Sequence, residues 1–289
     1  MISTYNRNRI NRLKKEFEQL RVGKDSLLTL LEEAELPELV YNSNAIENST
    51  LTLKETEQIL LELEVARNVS IRELFEAKNL ARVIQYLQNN QNLELNKENI
   101  LLLHRMLIGG IDDEIAGRFR RRGEYVRVET HIAPAPEHVE QLLDDLLIEF
   151  KSADNSYFID RIAYFHLEFE RIHPFVDGNG RIGRVLLNLQ LKQLGYPSVI
   201  IRNKGKVDHY YPAFNEYQEL KHTGRLEHLV MLTTIESLNK RLTYLRGQNI
   251  VKLTDYAKAN KQSINALINA ARRQTVPAFR EKGIWKTGL

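Results

Sequence analysis

The stretch RIAYFHLEFERIHPFVDGNGRIGRVLLNLQLKQLG, residues 161–195, decides how this chain folds. Ile162, Phe165, Phe169 and Ile172 recur at steps of three and four and so line one face of a helix. Pro174 ends that helix, because the residue before a proline is driven out of helical geometry, and His173 is predicted at a helix–loop junction. Asp177-Gly178-Asn179-Gly180 then reads as a tight turn, followed by a helix from Arg181 that buries Ile182, Val185, Leu186 and Leu189 and stops at Gly195. A glycine-rich turn feeding a helix N-terminus presents unpaired N–H groups and a positive dipole end to an anion. Arg181 and Arg184 stand in the first turn, where cations are disfavoured, which makes sense when a polyanion occupies the site. The ensemble reads as a di- or triphosphate cradle with a histidine at its rim.

Three other readings compete. GNGRIG at 178–183 formally matches the dinucleotide fingerprint, which must follow a strand, whereas this one follows a helix. His166, Glu170 and His173 form a candidate metal face like that of a zinc-protease helix, although the H-E-x-x-H spacing is missing. The plainest alternative is an ordinary helix pair with surface arginines, which leaves the histidine, carboxylate, paired glycines and paired arginines as coincidence.

Outward from this segment the pattern is helical. Residues 53–66, 74–88, 99–108, 139–151 and 160–172 each carry an apolar stripe, and one hairpin is predicted between Arg120 and Ile132, ended by Ala-Pro-Ala-Pro at 133–136. The helical pattern lapses near Gly247. With 289 residues, 43% hydrophobic and 27% charged, the chain has the composition of a globular protein, and its mean hydropathy is −0.40. No apolar run is long enough to span a bilayer and the first residues lack a signal-peptide core, so no membrane partner and a cytoplasmic location are expected. The absence of cysteine excludes disulfides, thiol catalysis and thiolate zinc sites. Residues 250–289 hold eight Lys/Arg against two Asp/Glu, while the remainder holds 33 against 36. A basic tail is the electrostatic footprint of a nucleic-acid contact or a solvated face of a small helical unit.

HPFVDGNGRIGR at 173–184 resembles the signature H-x-F-x-[DE]-G-N-G-R-x-x-R of the Fic (filamentation induced by cAMP) family, with each defining position filled. The resemblance extends through Gly117-Arg118-Phe119-Arg120, the hairpin, GYPSVIIR and HYY, covering most of residues 70–235. It implies an all-α catalytic core at 70–246 with a small β-hairpin flap, transferring AMP from ATP to a hydroxyl side chain of a protein. By the same resemblance His173 is the general base and Asp177 holds Mg2+ or Mn2+. The segment Gly178, Asn179, Gly180, Arg181, Ile182, Gly183 and Arg184 binds the phosphates, its amides forming the anion hole and Arg181 and Arg184 gripping the β- and γ-phosphates. A lysine replaces the second glycine in the phosphorylating branch typified by the Doc toxin; Gly180 is retained here, which favours adenylylation. The flap residues Val128, Glu129, Thr130 and His131 would clamp the target and cover the nucleotide, and Tyr210 would lie near the adenine or serve only in packing.

Ser43-Asn44-Ala45-Ile46-Glu47-Asn48 resembles the family's inhibitory motif [ST]-x-x-x-E-[GN], placing an autoinhibitory helix in an N-terminal region, residues 1–69. Glu47 paired with Arg184 would occupy the γ-phosphate site; alternatively Glu47 is solvated and the segment only precedes a Thr52–Glu55 capping box. In some relatives this glutamate also aligns a water that removes AMP, and related members often form homodimers. The tail, 247–289, is similar to small winged helices, with Thr254 and Ser263 as helix caps and a basic wing, and implies either DNA or a protein as its partner. A different class of function is a DNA-binding regulator that uses the core to sense nucleotide.

Overall fold

Helices α7 (Phe158–Ile172) and α8 (Asn179–Gln193) form the centre of the molecule because both are buried on two sides. The computed structural model describes residues 2–63, 65, 68–90, 92–128, 131–153 and 156–289. Phe165, Phe169, Ile172, Ile182, Val185, Leu186 and Leu189 face one apolar core, and Ile159, Ile162, Leu167, Leu187 and Leu191 face another. A helix apolar around most of its circumference belongs in an interior, and the six-residue link between these two, residues 173–178, is therefore held at a fixed place.

The first core is completed by α2 (Asp25–Ile46), α3 (Leu53–Leu60), α4 (Ile71–Asn89), α5 (Lys97–Ile108) and α6 (Pro136–Ser152), through residues such as Val40, Leu51, Ile59, Leu80, Leu103 and Val139. The second is completed by α1 (Thr4–Leu20), α9 (Tyr211–Leu220) and α10 (Gly224–Leu245), with Ile10, Ala213, Tyr217, Val230 and Ile235. A π-turn at Lys206–Tyr210 leads straight into α9. The chain is mostly helical, as its periodicity predicts. The stripe expected over 53–66 makes a shorter helix: Thr52 and Glu55 form a capping box at its start, and the chain turns at Glu62, whose φ is 59°. Among the described residues, Arg120–Ile132 contributes two-residue strands, β1 (Arg127–Val128) and β2 (His131–Ile132), paired antiparallel.

Beyond α10, Gly247 turns with φ 66° and the chain makes β3 (Ile250–Lys252), α11 (Leu253–Ala259), α12 (Ile264–Arg272), β4 (Phe279–Glu281) and β5 (Ile284–Gly288). The strands form one antiparallel sheet in the order β3-β5-β4. Ser263 caps α12 as expected, whereas the N-cap of α11 is Lys252 and Thr254 falls inside its first turn. This unit docks on the body through charge. Glu236 accepts from the Arg280 amide at 3.1 Å and its guanidinium at 2.6 Å, and Glu38 of α2 accepts from the amides of Lys282 and Gly283 at 3.1 and 3.3 Å. Lys282 pairs with Glu57 at 2.9 Å and Lys286 with Glu281 at 2.5 Å, so the basic β4–β5 hairpin is matched by acids at hand, while Lys258, Lys261, Arg272 and Arg273 remain exposed.

Helix α2 runs unbroken through Pro37, although an interior proline costs a helix about 3 kcal/mol. Side-chain anchors offset that cost. Glu35 pairs with Arg241 and with Lys240 at 2.9 Å, Glu38 pairs with Arg202, and Asn42 accepts from the Asn203 amide at 3.0 Å. Glu35→Ala would leave Arg241 buried without its carboxylate, and urea titration should show a loss of about 3–5 kcal/mol in unfolding free energy.

Candidate active site

His173 closes α7 in the left-handed conformation, φ 49° and ψ 63°. The sequence reading requires the helix to end here; the structure adds that the pre-proline residue turns left-handed rather than extended, at a cost of order 1–3 kcal/mol for a side chain of this kind. Arg120 holds it there. Its guanidinium donates to the carbonyls of His173 at 2.7 Å, Ile172 at 3.2 Å, Pro134 at 2.9 Å and Glu124 at 3.1 Å, and its amide donates to the Pro174 carbonyl at 3.0 Å. One buried arginine thus fixes the end of α7 and the base of the hairpin together.

The loop is stapled from both sides. The Asn179 side chain accepts from the Phe175 amide at 2.8 Å and donates to its carbonyl at 2.9 Å. His104 stacks on the Phe175 ring at 3.7 Å. Because its Nδ1 accepts the Gly117 amide at 3.0 Å, its Nε2 carries the proton donated to the Asp177 carbonyl, also at 3.0 Å. Gly178, with φ 83°, is the left-handed entry to α8. His104 and Arg120 lie far from the motif in sequence, and only the G-x-x-R pattern at 117–120 hinted at one of them.

Arg184 is buried, and α2 supplies its acceptors. Nε donates to Ser43 Oγ at 2.9 Å, and Nη2 donates to the Ser43 carbonyl and to Glu47 Oε1, both at 2.8 Å. Glu47 lies over the N-terminal turn of α8, where a Cβ on Gly180 would overlap its Oε1, so glycine here makes room for a carboxylate. Arg181, also buried, pairs with Asp177 at 3.0 Å and with Glu76 of α4 at 3.3 Å. Burial pushes the Asp177 carboxyl up, but Arg181, the Gly178 amide and Arg72 outweigh it and hold it below the usual carboxylate range. The cations that a polyanion is expected to neutralise are thus met by the chain's own acids.

Two positions of the motif serve packing. Ile182 packs in the first core and its amide donates to the Gly178 carbonyl at 3.0 Å, so its side chain serves the interior. Gly183 is needed for space, since a Cβ there would overlap Glu170 Oε1. Glu170 lies 3.9 Å from His173 Nδ1; burial first, then Glu47, raises its pKa to about 8, so it is uncharged at neutral pH. Among the described residues no three His, Asp or Glu assemble a metal site, which removes the zinc arrangement of His166, Glu170 and His173. His166 instead meets the Tyr210 hydroxyl at 2.8 Å. A single carboxylate on a phosphate cradle, completed by phosphate oxygens and water, is the donor set that Mg2+ accepts, and Asp177 fits it.

A cleft of about 300 Å³ opens over these groups, lined by Glu47, His173, Gly180, Arg184, Tyr210 and Phe214. Val128 and His131 form its flap side, with the His131 ring donating to the Arg171 carbonyl at 2.9 Å; Glu129 and Thr130 lie outside the described residues. Tyr210 is fully buried, its ring 6.0 Å from the Arg184 guanidinium, so it belongs to the floor of the cleft. Lys206 Nζ donates to the Ala45 and Ile46 carbonyls, each at 3.0 Å, and the Tyr211 hydroxyl to the Ile46 carbonyl at 2.7 Å, together capping α2 just before Glu47.

Residues 94–191 match the model of the Fic/DOC family. The chain is 33% identical over 183 residues to "Protein adenylyltransferase Fic" of Drosophila persimilis, covering 61% of this chain and 36% of that protein. It is 34% identical over 177 residues to the protein of the same name from Nematostella vectensis, covering 59% of this chain and 41% of that one. It thus spans well under half the length of these curated relatives. Among solved structures, a Fic-domain-containing signaling protein from Bacteroides thetaiotaomicron superposes with a TM-score of 0.74 at 24% identity, covering 83% of this chain and 97% of that one. Fic-1 from C. elegans gives 0.70 at 26% identity, covering 84% and 73%. The chain contains a Fic/DOC-family domain.

Burial depresses the imidazoles of His104 and His173 to about 4 and that of His166 to about 3. Each histidine therefore adds stability above its unfolded pKa near 6.5 that is lost as pH falls towards 4, and His228, also lowered by desolvation, acts in the same direction; the raised carboxyls of Glu170, Glu32 and Asp160 work the other way, three groups against four. The thermal midpoint followed by circular dichroism should drop between pH 6.5 and 4, and His104→Gln should flatten that drop.

Proposed function

We propose that this chain is an autoinhibited protein adenylyltransferase, transferring AMP from ATP to a hydroxyl side chain of a protein, itself included. The observation that carries this reading is a neutral histidine held at the mouth of a helix N-terminus whose two arginines are both buried and both engaged by carboxylates. His173 Nδ1 faces the Glu170 carbonyl at 3.3 Å; a proton on Nδ1 leaves the Nε2 lone pair to take the proton of the attacking hydroxyl. The hydroxyl oxygen bonds to the α-phosphorus while the bond to the bridging β-oxygen breaks, giving a protein–O–AMP ester and pyrophosphate. The free amides at the start of α8 stabilise charge on the α-phosphate, and Arg181 and Arg184 receive the leaving pyrophosphate. Asp177 would hold Mg2+ or Mn2+, which bound there supplies neutralisation of the phosphate charge.

Glu47 sits where a terminal phosphate would meet Arg184, which supports inhibition by competition for one guanidinium. The names of the relatives support the AMP-transfer chemistry. The DNA-binding alternative loses support from the wing, whose Arg280 and Lys282 are committed to Glu236 and Glu57 of the body.

Two outcomes test the reading. His173→Ala should abolish transfer of labelled AMP, a loss of about 10²- to 10⁴-fold, with ATP affinity nearly unchanged, because the cradle does not depend on the imidazole. Wild-type turnover in that variant sinks the mechanism. Glu47→Gly should raise forward transfer by about tenfold to a hundredfold, the worth of a partly shielded ion pair. Forward transfer and release of AMP from pre-modified protein should be measured separately, since loss of Glu47 also removes a carboxylate able to align water for reversal.

A further inference from the structure

Arg72 and Glu76, one turn apart on α4, close a ring of alternating charges with the site. Arg72 Nη2 lies 2.5 Å from Asp177 Oδ2, Asp177 Oδ1 lies 3.0 Å from Arg181 Nη2, Arg181 Nη1 lies 3.3 Å from Glu76 Oε1, and Glu76 Oε1 lies 3.1 Å from Arg72 Nε. Asp177 Oδ1 also accepts the Gly178 amide at 2.5 Å, which leaves Oδ2 as the oxygen directed to an incoming cation, and Arg72 is on it.

We propose that Arg72 and Glu76 are internal counter-ions for the metal-and-phosphate half of the site, Arg72 standing in for the divalent cation on Asp177 and Glu76 for a phosphate on Arg181. This rests on the reading of Asp177 as the metal-holding carboxylate. The exposures support an exchange. The Arg72 side chain is 58% exposed and free to swing outward, whereas that of Arg181 is 4% exposed and stays in place. Once displaced, Arg72 and Glu76 keep each other as an i,i+4 pair on α4, so neither charge is stranded. Arg72 has a second effect when metal is absent: its charge screens phosphates from Asp177. A nucleotide arriving with its cation exchanges both partners at once, which makes Arg72 a positioning residue for the metal-bound form of the substrate.

The test is isothermal titration with ADP, which lacks the γ-phosphate and so keeps Glu47 out of the comparison, in EDTA and again in saturating Mn2+. In Arg72→Ala the ratio of metal-free to Mn2+-bound Kd should widen about two- to fivefold, through weaker metal-free binding and stronger binding with Mn2+. Arg72→Lys, which keeps a cation beside Asp177, should stay near the wild-type ratio, and Glu76→Gln should tighten ADP under both conditions by releasing Arg181. An unchanged ratio in Arg72→Ala, an equal weakening with and without Mn2+, or an Arg72→Lys variant that behaves like Arg72→Ala overturns the proposal. Wild-type affinity indifferent to Mn2+ overturns the metal reading of Asp177 and this inference with it; a Mn2+ effect that Asp177→Asn abolishes and Arg72→Ala leaves unchanged overturns the inference alone.

Discussion

A guanidinium buried inside a helical body must be surrounded by acceptors, because an uncompensated buried charge costs several kcal/mol. At Arg184 the acceptors are Ser43 Oγ, the Ser43 carbonyl and the Glu47 carboxylate, which belong to the end of α2. The burial of one side chain therefore dictates where a whole helix lies. The same helix is gripped along its length by Arg241 and Lys240 at Glu35, by Arg202 and the β4–β5 turn at Glu38, and by Lys206 and Tyr211 at its last carbonyls. α2 is consequently an integral wall of the first core and a joint between the cleft and the C-terminal unit.

Cations at a helix N-terminus present an electrostatic conflict, which this chain resolves with its own carboxylates. Glu47 lies over the amides of α8 and on Arg184, Glu76 on Arg181, and Asp177 between Arg181 and Arg72. In this state each cation of the cradle is paired with a carboxylate of the chain. Anything that enters must offer at least as much negative charge as it displaces, a requirement that polyphosphates meet and monoanions do not.

Preorganisation of the loop comes from groups that never face the cleft. Arg120 gathers four carbonyls, His104 fixes its tautomer between Gly117 and Asp177, and Asn179 spends its side chain on Phe175. The strained backbone of His173 survives because these bonds over-determine it. The neutral state of His173 follows from the same burial.

Local chemistry was legible in the chain itself. The steps of Ile162, Phe165, Phe169 and Ile172, the stop at Pro174, the two glycines of the turn and the restart into Ile182, Val185 and Leu186 placed the helix–loop–helix that organises the site, because periodicity and turn residues act over a few positions. The same local logic overextended the stripe after Leu53, where nothing in the pattern foretold the left-handed Glu62. The inhibitory-motif resemblance brought Glu47 and Arg184 together as candidates, but their contact joins residues 137 positions apart. The contact of Arg72 with Asp177, 105 apart, left no pattern to read, and G-x-x-R at 117–120 singled out Arg120 without its partner His173, 53 apart. Partners of this kind are chosen by which charges are driven into one interior, and burial is a property of the packed chain, so only the tertiary structure could assign them.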